Sequence, residues 1–290
     1  MRDFVHLHLH TEYSLLDGAC RVDELMKEAA RLGMPSLAVT EHGNMFSSIV
    51  FHDTAKKHGI KPILGCEVYV APGDRREKSG VPGETQNHLV LLAETNEGYH
   101  NLIKLVSSGY TEGFYYKPRI DKELLQQHSA GLIGLSSCLK GEVAEGIYKD
   151  RIDKARTAAG QYGEILGKGN FFLEMQYQGL REQKIVNDSL PSLARELDLP
   201  MVITNDVHYL RHGDHKPHDI LLCIGTGKSV SDAHRLKYGS DEFFLKTPEQ
   251  MWERFGEYPD ALTNTARMCA EFGYPSVPLM RMVEWTADWL

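Results

Sequence analysis

Seven short apolar runs, beginning near residues 4, 36, 61, 88, 132, 171 and 201, are separated mostly by stretches of helical periodicity. The stretch 22–32 has apolar residues at 22, 25, 26, 29 and 32 and stops at Gly33, the pattern of an amphipathic helix ended by glycine. Further helices are expected over about 46–58, 98–108, 122–128, 151–166 and 181–197. Alternation of strands and helices with short connections specifies βα units and a parallel sheet. No GxGxxG turn follows any strand, so an α/β fold of the TIM-like barrel kind, with seven strands, is favoured over an open doubly wound sheet. Beyond the last strand, 212–224 reads as helix, 225–246 as an inserted hairpin or loop, and 249–255 and 259–272 as closing helices. Residues 72–86 hold three glycines and two prolines and read as an exposed loop.

Composition narrows the function. The 290 residues are 42% hydrophobic and 25% charged, enough to bury a large core in one domain. There is no apolar run of membrane-spanning length, and Arg2 and Asp3 lead straight into a strand rather than a signal peptide. A cytoplasmic protein is expected. The five cysteines are odd in number and never spaced as CxxC, which argues against a disulfide framework or a zinc ribbon. A net charge of −8 is not the footprint of a chain that grips nucleic acid with its whole surface. Phosphate binding must be local or carried by bound cations.

The first strand supplies such a place. His6, His8 and His10 occupy alternate positions, so in a regular strand they share a face opposite Val5, Leu7 and Leu9. Three histidines side by side need a common partner, and a metal ion is one. In parallel βα folds, functional groups gather at the carboxyl ends of the strands. His8, His10, Asp17, His42, Cys138, Asp206 and His208 fall at or just beyond such ends, and Glu67 lies within the third strand. His88 opens its strand and would sit at the wrong end of a simple parallel barrel. Segments 67–70 and 88–92 are therefore expected to pair across the intervening loop. These nine groups are too many for one tetrahedral zinc, and fit two or three divalent ions (Zn, Mn or Fe) bridged by carboxylates. Cys138 on its own reads equally as a small buried hydrophobe. His6 sits deeper and is assigned a supporting or core role. Glu41, Asn44 and His218 are candidate orienters. Lys117 and Arg119 beside Tyr116 combine phosphate contacts with a stacking surface, as single-stranded nucleic acid requires. A solvated loop with inward-packed aromatics is the alternative.

The chain resembles the PHP (polymerase and histidinol phosphatase) domain of bacterial replicative DNA polymerase III alpha subunits. The resemblance is carried by residues 8–18 (HLHTEYSLLDG), 40–44 (TEHGN), 59–67 (GIKPILGCE), 88–89, 114–121 (FYYKPRID) and 204–208 (TNDVH). It implies a distorted (β/α)7 barrel over residues 1–272, leaving 273–290 as a tail or truncated linker. It also implies a trinuclear metal site, with ligand positions falling on His8, His10, Asp17, His42, Glu67, His88, Cys138, Asp206 and His208. The activity implied is metal-dependent phosphodiester hydrolysis as a 3′-5′ proofreading exonuclease. Asp206, His208, Glu67 and His10 would be closest to the chemistry. Its partners would be a DNA 3′ end, the polymerase core of the same longer chain and other replisome subunits, with no membrane. Two rival readings remain: a phosphomonoesterase of the histidinol phosphatase kind, and a metal-stabilised scaffold without hydrolysis.

Overall fold

The computed structural model describes residues 4–81 and 86–271; the expected tail lies outside them. One sheet holds β1 (Ser36–His42), β2 (Lys61–Val70), β3 (Asn87–Ala93), β5 (Leu132–Leu135), β6 (Phe171–Met175) and β7 (Met201–Ile203) in that order. The two-residue β4 (Arg119–Ile120) pairs with β2. The helices are α1 (Val22–Arg31), α2 (Ser48–Lys57), α3 (Asn96–Thr111), α4 (Lys122–Gln127), α5 (Glu142–Tyr148), α6 (Ile152–Leu166), α7 (Arg181–Leu197), α8 (His215–Thr226), α9 (Pro248–Phe255) and α10 (Pro259–Glu271). Among the described residues no helix is long and apolar enough to cross a membrane.

Local chemistry explains several boundaries. Thr95 starts α3 by accepting the Gly98 amide at 3.1 Å, and Asp121 starts α4 by accepting that of Leu124 at 2.9 Å. Thr247 and Gln250 form a capping box around Pro248 at the first turn of α9. The seven-residue α5 is too short to announce itself by periodicity. Residues 225–246 yield α8's last turn and then a loop, tied to the core by a parallel bridge from Tyr209 to Phe244 and by the Asn205 side-chain amide, which donates to Glu242 O and Phe244 O.

The sheet is not wholly parallel. β1–β2, β5–β6 and β6–β7 run parallel, whereas β3 is antiparallel to both β2 and β5. No helix intervenes among the described residues between β2 and β3, so the chain returns alongside itself as a hairpin does. Tyr69 then faces His88 and Glu67 faces Val90. This is the pairing expected from the sequence, and it brings the start of β3 to the same end as the parallel strands' carboxyl ends.

The sheet curls into a partial barrel, and the amino-terminal segment lies across its gap. On one side Ala38 N–H donates to His6 O and Thr40 N–H to Leu9 O, each at 2.9 Å; on the other His10 N–H donates to Val207 O at 2.8 Å. These are isolated hydrogen bonds rather than a ladder. The segment also bends at His8, which corrects the three-histidine face. Val5 and Leu7 join Ala38, Ile63, Val90, Leu92, Ile133, Leu135, Phe172 and Val202 in the apolar cluster within the curl. Leu9 joins the larger cluster between sheet and helices. The bend shifts the alternation by one, so His8 and His10 face inward while His6 turns away to Lys246 O, 2.8 Å from its Nε2. Burial pushes the His6 pKa down to about 4. It is a neutral core histidine.

Candidate metal centre

Above the inner apolar cluster, the same inward positions change from hydrocarbon to ligand chemistry. Along β2 the series is Ile63, Gly65, Glu67; along β6 it is Phe172, Glu174. Glu67 sits at the middle of the constellation and is fully buried. Its Oε1 lies 3.4 Å from His8 Nε2 and 2.9 Å from His88 Nδ1. Its Oε2 lies 2.6 Å from His42 Nδ1 and 3.9 Å from His10 Nε2. Asp206 Oδ1 lies 3.2 Å from His8 Nε2 and 3.3 Å from His10 Nε2. Asp17 Oδ2 lies 3.0 Å from His42 Nε2. His208 Nε2 is 3.4 Å from His42 Nε2 and 4.0 Å from Asp17 Oδ1. Cys138 Sγ is 3.7 Å from both Glu67 Oε1 and His88 Nδ1. The structure thus brings all nine expected side chains together, from seven separate stretches of chain.

Hydrogen-bond accounting fixes which nitrogens face the centre. His8 Nδ1 is 2.7 Å from Glu174 Oε1, and His208 Nδ1 is 2.8 Å from the Asp206 carbonyl; each must donate there. Ser14 Oγ donates to Glu41 at 2.6 Å and accepts the His42 amide at 3.1 Å. It therefore accepts from His10 Nδ1 as well, at 2.9 Å. All three neutral rings then aim a bare Nε2 inward. His8 Nε2, His10 Nε2 and Asp206 Oδ1 are buried and have no hydrogen-bond partner. Lone pairs facing one another at such distances repel unless a cation lies among them.

The ion-free electrostatics say the same. Burial opposes charge on His8, yet Asp206 and Glu174 raise its pKa well above the usual value. His42 is likewise desolvated, and Asp17 and Glu67 still raise it to about 10. Burial and the neighbouring His42 and His208 push His10 down. Burial would raise Glu67, but His88, His42 and His8 hold it well below the carboxylate range; Asp206 and Asp17 are depressed by their histidines in the same way. Burial, Glu67 and Asp206 raise the Cys138 thiol, so only a bound cation would hold it as thiolate. Two site residues also adopt left-handed backbone, Ser137 at φ 64° and Asp206 at φ 49°. Such strain collects where side-chain placement outweighs local stability.

Several supporting residues escaped sequence reasoning. Glu174 accepts from His8, Gln176, Ser137 N–H and Thr204. An acid inside the run Phe171–Met175 was the signal that it had buried partners. Glu41, by contrast a candidate orienter from the sequence, is fully buried and accepts from Thr11 N–H and the Ser14 hydroxyl. Tyr238 donates to Asp17 Oδ1 at 3.1 Å, and nothing in the sequence pattern points to it. His218 Nε2 lies 3.5 Å from the same oxygen, as an orienter would. Asn44 instead ties loop backbone, donating to Tyr13 O and His42 O.

Arg119 is a correction. It is buried, and its guanidinium donates to the carbonyls of Gly113, Arg75 and Glu77 at 2.7–3.0 Å. It holds the loop and is not a phosphate contact. Arg75, in the expected exposed loop, is likewise buried against Glu112 and Asp121. Lys117 and Tyr116 are exposed on the wall of the cavity, about 630 Å³, that opens from the centre.

The PHP domain family matches residues 6–178. The chain belongs to the PHP domain family. This PHP domain is 48% identical over 266 residues to the DNA polymerase III subunit alpha of Treponema pallidum (strain Nichols), covering 91% of the chain and 23% of the relative. It is 43% identical over 273 residues to that of Borreliella burgdorferi, covering 93% and 24%. The PHP domain thus spans about a quarter of these relatives' length. A solved structure of a candidate metal-dependent phosphoesterase from Bifidobacterium adolescentis aligns over 86% of this chain and 96% of its own, with 14% identity and a TM-score of 0.42.

Proposed function

We propose that this PHP domain is a metal-dependent phosphodiesterase acting at a DNA 3′ end, within a longer alpha-subunit-like chain. The observation that carries the reading is the convergence of buried, partnerless His8 Nε2, His10 Nε2 and Asp206 Oδ1 at an open cavity that Asp206 lines. The donor set is imidazole, carboxylate and one thiol, which suits zinc, manganese or iron. Three overlapping groups, His8/His10/Asp206, His42/Glu67/His88 and His10/His42/His208, each gather ligand atoms within 4.8 Å of one another. Glu67 and Asp206 would be the central carboxylate ligands, with Cys138 beside His88 and Asp17 beside His208.

Divalent cations so held would supply a water of pKa near about 7 and neutralise phosphate oxygens. The chain's own residues do the rest. Glu174, Ser14 and the Asp206 carbonyl keep His8, His10 and His208 with Nε2 inward. Tyr238 and His218 hold Asp17. Lys117 and Tyr116 stand on the wall where a nucleic-acid backbone would enter.

The test is metal analysis of the purified chain together with chelator-sensitive hydrolysis of bis(p-nitrophenyl) phosphate, p-nitrophenyl phosphate and a labelled primer. Stepwise shortening of a 3′-recessed primer, lost in His8→Ala and Asp206→Asn, supports the reading. Activity on the monoester alone would favour a phosphomonoesterase. Bound metal with no hydrolysis of any of the three would leave a structural scaffold.

A further inference from the structure

Beyond the polar centre the cavity wall carries an unusual strip of exposed rings. Phe46 is 59% exposed, Tyr110 40% and Phe114 48%. Their centroids lie 6.4 Å apart from Phe46 to Tyr110 and 6.3 Å from Tyr110 to Phe114, tilted by 37° and 30°. All three line the cavity that contains Asp17, His42, Glu67 and Asp206. Soluble proteins seldom leave contiguous aromatic surface uncovered without a use for it.

The strip is held in place. Asn44, two residues after His42, accepts the Phe46 amide at 3.0 Å. Tyr110 rides the last turn of α3. Phe114 follows Gly113, whose carbonyl takes the buried Arg119 Nε at 3.0 Å. A Cβ on Gly113 would lie 1.9 Å from the Arg119 carbonyl, so only glycine permits this approach.

Charge points to the occupant. Among the described residues, the acids lining this cavity are Asp17, Glu67 and Asp206, all in the centre. The cations outside the centre are the exposed Lys117, Lys140 and Lys237, and none of them enters an ion pair among the described residues. In a chain of net charge −8 this wall is locally basic and aromatic. Rings that accept base faces, cations that follow a backbone, and a phosphate-seeking floor are the parts of a single-strand site.

We propose that Phe46, Tyr110 and Phe114 form a stacking platform for unpaired terminal bases of single-stranded nucleic acid, fed into the centre past Lys117, Lys140 and Lys237. The direction of feeding rests on the hydrolytic reading; the platform itself does not. Base stacking contributes about five- to 150-fold in affinity per base.

The test uses the whole 290-residue chain and a short fluorescein-labelled oligothymidylate, read by anisotropy with chelator present so that nothing is cleaved. Phe46→Ala and Phe114→Ala should each weaken binding about five- to 150-fold. Phe114→Tyr should restore it, and an abasic strand should bind the parent as poorly as the base-bearing strand binds the variants. Metal content and thermal melting, which do not depend on a stacked ring, should match the parent in both alanine variants. Parent-level oligonucleotide binding by the alanine variants, no binding by the parent, or equal binding of abasic and ordinary strands overturns the platform. So does a finding that the rings are needed only for association with the remainder of an alpha-subunit-like chain. If nothing is hydrolysed but ring-dependent binding persists, the platform stands and the hydrolytic reading falls.

Discussion

Replacing Glu174 by glutamine changes one buried atom pair and should damage the metal centre without touching a ligand. The Glu174 Oε1 takes His8 Nδ1 at 2.7 Å, Gln176 Nε2 at 2.8 Å and the Thr204 hydroxyl, while Oε2 takes Ser137 N–H at 2.9 Å. A glutamine keeps its oxygen on the crowded side, so its NH2 meets the Ser137 N–H donor to donor. One buried hydrogen bond is lost, costing about 1 to 3 kcal/mol, which lowers Tm by about 2 to 12 °C for a chain of this size. His8 also loses the charge that polarises its ring. Loss of such a partner typically weakens metal binding about 10- to 100-fold, or about 1.4 to 2.7 kcal/mol. Competition with a chromophoric chelator measures the affinity, and thermal melting of the ion-free protein measures the fold. Affinity within about twofold of the parent, against the range seen when such partners are lost, refutes the assignment of Glu174 as the residue that aims His8.

Cation binding should tighten as pH rises, because His8 and His42 carry raised pKa values, to about 10 for His42, and must each release a proton; His10 and His208 are depressed and release none above neutrality. The Cys138 thiol, its pKa raised by burial, releases a third, so calorimetry in buffers of differing ionisation enthalpy should find about three protons released, and none would contradict the geometry. The ion-free fold runs the other way: His42's contribution is complete below its ordinary value of 6.5 and is lost as pH climbs through about 10, visible as a falling Tm. Lys117→Ala should flatten the salt dependence of oligonucleotide binding by about 0.7 per phosphate contact, whereas Arg119→Ala should lower Tm and leave that slope unchanged. Gly43 sits at φ 62° with Tyr69 Cε2 2.7 Å from where a Cβ would be, so Gly43→Ala should cost at least about 1 to 2 kcal/mol, read by denaturant melts.

The convergence of these side chains was legible because chemistry-bearing residues in βα folds gather toward the carboxyl ends of the strands, and His42, Glu67, Asp206 and His208 each follow a short apolar run. The antiparallel β3 was legible only indirectly, through the misplacement of His88. The bend at His8 was not, since three alternating histidines look the same whether or not the strand slips by one; the inward set was decided by the tertiary hydrogen bonds from Ala38, Thr40 and Val207. Arg119 misled because a basic residue among tyrosines reads as surface, while the carbonyls of Gly113, Arg75 and Glu77 that claim it lie as many as 44 positions away.

The amino-terminal segment bonds to chain on both sides of the gap, and its His10 amide finds its acceptor at Val207. A ribosome-bound fragment that stops short of residue 206 has the two inward histidines, His8 and His10, yet no aspartate to oppose them. The His8/His10/Asp206 group would therefore be completed only when the amino-terminal segment and the turn after β7 have met, a closure across most of the described chain and correspondingly slow.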